Sequence, residues 1–163
     1  MDAITLLVQH HRELEKRFAD LLKLEPKDRK PGFAEVADLL AAHFTIEEKS
    51  FYPAVSAKRT EDILLESLEE HLSLKRLLAD LLALDVTEQT FEPKLHVLKE
   101  QAEHHHKEEE KDLFPKVRTL LDTAAREELG TEMQAMLDRL LRKEPRKMVP
   151  GQTDEAAPLP PKI

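Results

Sequence analysis

The segment His43-Phe44-Thr45-Ile46-Glu47-Glu48-Lys49-Ser50-Phe51-Tyr52-Pro53 returns 62 residues later as His105-His106-Lys107-Glu108-Glu109-Glu110-Lys111-Asp112-Leu113-Phe114-Pro115. His, Glu, Glu, Lys and Pro recur at matching offsets. Residues four apart share a helix face, so His43 stands over Glu47 and His105 over Glu109. A second echo, at an offset of 60, carries Ala19-Asp20-Leu21-Leu22 onto Ala79-Asp80-Leu81-Leu82 and His11 onto His71. A chain built on such a repeat is two similar helical hairpins. Two amphipathic hairpins bury their apolar stripes by packing into an all-α, up-down four-helix bundle.

Apolar periodicity assigns the helices. The first covers 2–24, with Ile4, Leu7, His11, Leu14, Phe18 and Leu21 on one stripe and Asp2 as N-cap. His11 interrupts that stripe; His10 points about 100° away and reads as exposed. Pro26 to Gly32 reads as a polar connection. The second helix runs from about Phe33, with the stripe Phe33, Val36, Leu40, His43, Glu47, Phe51. Its Glu48 and Lys49 turn towards solvent, and Pro53 kinks or ends it. The third covers roughly 61–84 behind Thr60 as N-cap, with Leu64, Leu68, His71, Leu74, Leu78 and Leu81. The fourth follows Thr90, tolerates Pro93 in its first turn and extends to about Leu121. Its stripe is Leu95, Leu98, Ala102, His105, Glu109, Leu113. Of three consecutive histidines, periodicity selects His105, with His104 and His106 about 100° to either side.

The bundle accordingly occupies residues 1–121, and an additional helix 122–144. That fifth helix carries one apolar edge of Leu129, Met133, Met136, Leu137 and Leu140, and packs on the bundle or forms a contact to a second copy. Residues 145–163 hold five of the ten prolines and read as a disordered tail.

Taken singly, each stripe histidine has a plain reading as a core residue with one hydrogen-bonded partner. Glu47 and Glu109 do not, because helical spacing puts a carboxylate where packing calls for leucine. An unpaired buried charge costs several kcal/mol or more. Counted along helices at a rise of about 1.5 Å per residue, His11 and His43, and His71 and His105, fall at similar heights. His11, His43, Glu47, His71, His105 and Glu109 therefore converge near the bundle middle. Imidazole with carboxylate suits iron, manganese or zinc, and four His with two Glu exceed the needs of one tetrahedral zinc. Two ions satisfy the set: one on His11 and His43, the other on His71 and His105, with Glu47 and Glu109 bridging. Open positions on such a pair suit O2, peroxide or NO. The His-x3-Glu spacing differs from the Glu-x-x-His of ferritin-like proteins.

Other function classes recede. The chain has no Cys, which excludes disulfides, thiolate ligands and iron–sulfur clusters. Its formal charge of -8 opposes a nucleic-acid backbone. No apolar run suits a membrane span, and Met1-Asp2-Ala3-Ile4-Thr5 lacks the features of a signal peptide, so a cytoplasmic protein is expected.

The pattern Leu6-Leu7-x-x-His10-His11-Arg12-Glu13, then His43-x3-Glu47-Glu48-x-x-Phe51-Tyr52-Pro53, then Glu70-His71, then His105-x3-Glu109-Glu110-x3-Phe114-Pro115 resembles the hemerythrin-like HHE cation-binding family over about residues 2–120. The resemblance implies two non-haem iron ions with an oxo or hydroxo bridge, in a protein that stores or senses O2, handles NO or peroxide, or senses iron. Two positions depart from it. Oxygen-carrying members place a second His one turn after the first in the third helix, where this chain has Lys75. The usual Asp before the first His is His10 here. The first departure weakens the case for reversible O2 carriage. Three functions compete: binding or sensing at a di-iron centre, enzymatic peroxide or NO removal at the same centre, and a metal-free helical bundle with a polar core network.

Overall fold

The computed structural model describes residues 1–159, and among these every regular element is helical. Helix α1 spans Ala3–Lys23 and α2 spans Lys30–Ile46. A π-helical turn, Glu47–Phe51, links α2 to the short α3, Tyr52–Ala54. Helix α4 covers Glu61–Leu82 and α5 covers Phe91–Glu108. A second π-helical turn, Glu109–Leu113, leads into α6, Phe114–Leu120. Helix α7 is Thr123–Leu141, followed by a 3-10 segment, Pro145–Gln152. The hairpins α1/α2 and α4/α5 form the up-down four-helix bundle.

Capping fixes several boundaries. Asp2 accepts from the Ile4 amide at 2.7 Å, and Asp122 from the Ala125 amide at 2.8 Å, so both orphan amide sets find a carboxylate. Thr60 stands at the start of α4, but its hydroxyl donates to the Val55 carbonyl at 2.8 Å, tying the turn rather than the helix. The second helix begins earlier than expected, at Lys30. Pro31 sits in the first turn, where its missing donor is harmless. Gly32 continues the helix because α1 lies close: a Cβ there would stand 3.0 Å from Leu21 Cδ2. Arg29 is buried and closes the corner, donating from Nε to the Leu21 carbonyl at 3.0 Å and from Nη2 to Glu92 Oε1 at 2.6 Å.

The two π turns occupy equivalent places in the repeat and end at equivalent prolines. In an α-helix, Pro53 and Pro115 would lack a donor and press on the carbonyl four residues back. The wide turn relieves this. The Tyr52 amide reaches the Glu47 carbonyl and the Phe114 amide the Glu109 carbonyl, each five residues away. The extra residue shifts the phase of everything downstream.

Apolar side chains fall into two clusters. One gathers Leu14, Phe18, Phe33, Leu40, Leu78 and Leu95 beside the hairpin turns. The other gathers Ile4, Leu7, Ile46, Leu64, Leu113 and Met133 at the opposite end. Between them lies a layer of buried His and Glu.

Helix α7 packs on α1 and α2, with Met133 fully buried, so its apolar edge is covered within the chain. Gly130 stands directly over the Met1 carbonyl and the Ala3 amide, where a Cβ would collide. The segment after residue 145 is a correction to the expected disordered tail. Val149 inserts into the core against α2 and α4, and Asp38 accepts from the Arg146 amide at 3.0 Å and from its Nη1 at 2.8 Å. Arg76 then donates to the Thr153 and Asp154 carbonyls. Proline suits this 3-10 path, and one buried valine with two anchored arginines holds it. The last four residues of the expected tail, 160–163, lie outside the described residues.

Candidate metal centre

Each hairpin delivers two histidines and one glutamate to the polar layer. His11 comes from α1, His43 from α2, His71 from α4 and His105 from α5, while Glu47 and Glu109 open the π turns. All six are at most 2% exposed. His43 Nε2 and His71 Nε2 each stand 3.2 Å from Glu47 Oε1, and His11 Nε2 stands 3.2 Å from Glu109 Oε1. His71 Nε2 and His105 Nε2 are 3.2 Å apart. Sequence periodicity placed these six residues on inward faces, and the structure gathers them into one cluster.

The outward nitrogens are held by acceptors that periodicity missed. His11 Nδ1 donates to Glu110 Oε2 at 2.8 Å, His71 Nδ1 to Glu48 Oε2 at 2.8 Å, and His105 Nδ1 to Glu70 Oε1 at 2.9 Å. A carboxylate only accepts here, so the ring proton sits on Nδ1 and the Nε2 lone pair points into the layer. Such partners orient metal-ligating histidines. His43 has His10 instead, with Nδ1 atoms 3.3 Å apart. Glu48, expected in solvent, is therefore enclosed, and so is His10. Lys75 is enclosed as well and pairs with Glu48 Oε1 at 2.9 Å.

Two further rings face the layer. The π turn brings Tyr52 inward, where its hydroxyl donates to Glu109 Oε2 at 2.6 Å. His106, expected to turn aside, is buried and stacks on His11 with ring centroids 3.9 Å apart. The repeat relates the walls of the site. His71 lies between Phe44 and Tyr52, and His11 between their counterparts His106 and Phe114.

The electrostatics fit a site made for cations. Burial and the neighbouring Glu109 push the Glu47 carboxyl well above the usual range. Burial also opposes charge on Glu109, yet the adjoining His11 and His105 imidazoles hold it well below the usual range. Without a cation the two carboxyls therefore resist being ionised together. Burial lowers His43 and His71; His105 is raised because Glu70 and Glu109 outweigh its burial. Imidazoles at His43 and His71 that resist protonation, beside two crowded carboxyls, are what a divalent ion completes. Consistently, His11 Nε2, His43 Nε2, both Glu47 oxygens and Glu109 Oε1 are buried without a hydrogen-bond partner. Donor atoms of His11, His43, Glu47 and Glu109 lie within 4.8 Å of one another, as do those of Glu47, His71 and His105.

A helical bundle with a buried layer of inward lone pairs and carboxylates is a cation-binding domain. The family model of the Hemerythrin HHE cation binding domain matches residues 2–117, and the chain belongs to that family. It superposes on a crystal structure of a hemerythrin HHE cation binding domain-containing protein from Mycobacterium kansasii with a TM-score of 0.79 at 26% identity, covering 91% of this chain and 92% of that one. It is 30% identical over 143 residues to an uncharacterized protein of Mycobacterium tuberculosis, covering 86% of this chain and 88% of that protein. It is 26% identical over 131 residues to a DNA nickase of Nostoc sp.; the match takes 80% of this chain but spans only 37% of that relative's length. Among the described residues no helix is long and apolar enough to cross a membrane.

Proposed function

We propose that the chain holds two iron ions and uses them to bind or sense a small oxidant, O2, NO or peroxide. His11 and His43 would hold one ion and His71 and His105 the other, with Glu47 and Glu109 shared between them. Bound iron supplies a redox-capable centre with positions open to a small ligand. The chain's own residues do the rest. Glu110, Glu48 and Glu70 fix the imidazole tautomers. Tyr52 orients Glu109 through its hydroxyl. The flanking apolar clusters exclude bulk water. All six ligands come from one chain, so no second copy completes the site.

The single observation that carries this reading is the set of inward donor atoms left without hydrogen bonds in a layer closed at both ends. Manganese or zinc fits the same donors; the donor count favours two ions over one tetrahedral zinc, and iron is preferred on the resemblance to hemerythrins. A protein acting inside the cytoplasm suits the acidic, cysteine-free composition, and the formal charge of -8 speaks against nucleic acid as a partner. The nickase activity of the longer Nostoc relative is not carried over. The test is metal content of the purified protein together with its visible spectrum in air and after peroxide, azide or NO. Two irons per chain and a ligand-sensitive band are expected. A protein that takes up no ion, and whose melting ignores chelator, is instead a structural bundle. Steady-state peroxide or NO consumption that vanishes in Glu47→Ala would make the centre an enzyme.

A further inference from the structure

The repeat that builds the centre is broken at one informative place. Phe44 follows His43, and its ring covers His71, with centroids 4.7 Å apart. The equivalent residue after His105 is His106, and its ring covers His11. If the role were only to wall an imidazole, phenylalanine would serve there too, as it does on the other side. Instead the position carries a histidine that is 1% exposed, with Nε2 left without a hydrogen-bond partner. A buried polar atom without a partner is rare in a folded protein. A ring nitrogen of His106 lies near those of His11 and His43: one donor atom from each of the three falls within 4.8 Å of the others. The three rings also surround a common space, with His43 at 5.1 Å from His11 and 5.3 Å from His106, both edge-on.

Helix α5 explains how two consecutive histidines both face inward. It packs against α4 on one side and α1 on the other. A turn of about 100° between neighbours sends His105 towards His71 and His106 towards His11. One helix thus reaches both halves of the layer.

We propose that His106 is a third imidazole ligand for the ion held by His11 and His43, so that the centre is unequal. That half has three histidines and a phenylalanine wall, Phe114. The other half has two histidines and a tyrosine wall, Tyr52. The inference rests on the two-ion reading above and adds a seventh protein ligand to it.

The test counts coordinated imidazoles. Protein labelled with 15N-histidine is titrated with Zn(II), and long-range 1H–15N spectra report which Nε2 atoms shift on ligation. Five shifted Nε2 signals at two equivalents are expected. Four, with His106 unmoved, would overturn the inference and leave the two-ion reading standing. No zinc uptake together with no iron uptake would overturn both. The companion variant is His106→Phe, which copies Phe44 and keeps an aromatic wall. Fe(II) titration should show one of two ions bound about tenfold or more weakly, with the other unchanged. Two ions bound with the affinities of the parent protein would assign His106 to packing alone. Should that variant fail to fold, the imidazole count in the unaltered chain decides.

Discussion

Lys75 Nζ stands 2.9 Å from Glu48 Oε1, and the two side chains are 4% and 9% exposed. The other oxygen of Glu48 holds His71. The lysine thus neutralises the carboxylate that orients a ring of the candidate centre. It occupies the place where oxygen-carrying relatives have a further histidine, and it reaches away to Glu48 rather than to Glu47 or Glu109.

Removing Lys75 leaves Glu48 with a buried charge that only His71 offsets. Lys75→Met, which keeps most of the volume, should lower the stability of the metal-free protein by on the order of 3 kcal/mol. Urea unfolding in the presence of chelator measures it. An unchanged midpoint would mean that the pair contributes nothing net.

Glu47 behaves in the opposite sense. Its carboxyl is raised by burial and by Glu109, so its stability contribution is full below the ordinary carboxylate pKa and is lost as pH rises through the folded value. In the metal-free protein, Glu47→Gln should therefore raise stability at pH 7 by about 1–3 kcal/mol. The same change should lower the iron bound below two per chain. A variant less stable than its parent without metal would contradict this assignment of charge.

Acid should loosen the metal-free fold before any ordinary carboxylate titrates. Burial, with His11 adjacent, lowers His10 to about 4, and burial lowers His43, His71 and His106. Groups with depressed folded values favour the native state above the unfolded histidine pKa of about 6.5 and lose that advantage as pH falls. His105 is raised and works in the other direction, one group against four. His10 alone should account for about 3 kcal/mol between pH 6.5 and 4. Denaturant titrations from pH 7.5 to 4.5 read this directly, and a level profile over that span would refute it. His10→Phe should flatten the slope.

The segment after α7 is structural. Val149→Ala should cost on the order of 2 kcal/mol from lost burial and the cavity left behind. Calorimetry against the parent protein checks it. A loss no larger than that of a surface alanine change would return the segment to the status of a loose tail.

The bundle and its six inward polar residues were legible because an α-helical period repeats over long stretches and the repeat doubles every signal. His11, His43, His71 and His105 each replace leucine in a stripe that is otherwise apolar. The residues that escaped do so for two physical reasons. A π turn holds one residue more than an α turn, so Tyr52 arrives at the centre one step out of phase, and nothing short of reading Pro53 and Pro115 as markers of a wide turn reveals it. Glu48, Glu70, Glu110, His10 and His106 lie about 100° off the main stripe. In a bundle of this width a helix buries nearly half its circumference at the level of a polar layer, and a single stripe understates it. Composition suggests a loose tail for 145–159 because it reports the average preference of a stretch, while one buried Val149 and the anchors of Arg146 and Arg76 decide its fate.

Gly130 has its own consequence. Where α7 crosses the opening turn of α1, the two backbones are separated by the width of a hydrogen atom on Cα. The first and last long helices are thereby keyed together: Gly130→Ala would wedge them apart, and with them would move the helix that leads, about two turns on, to His11.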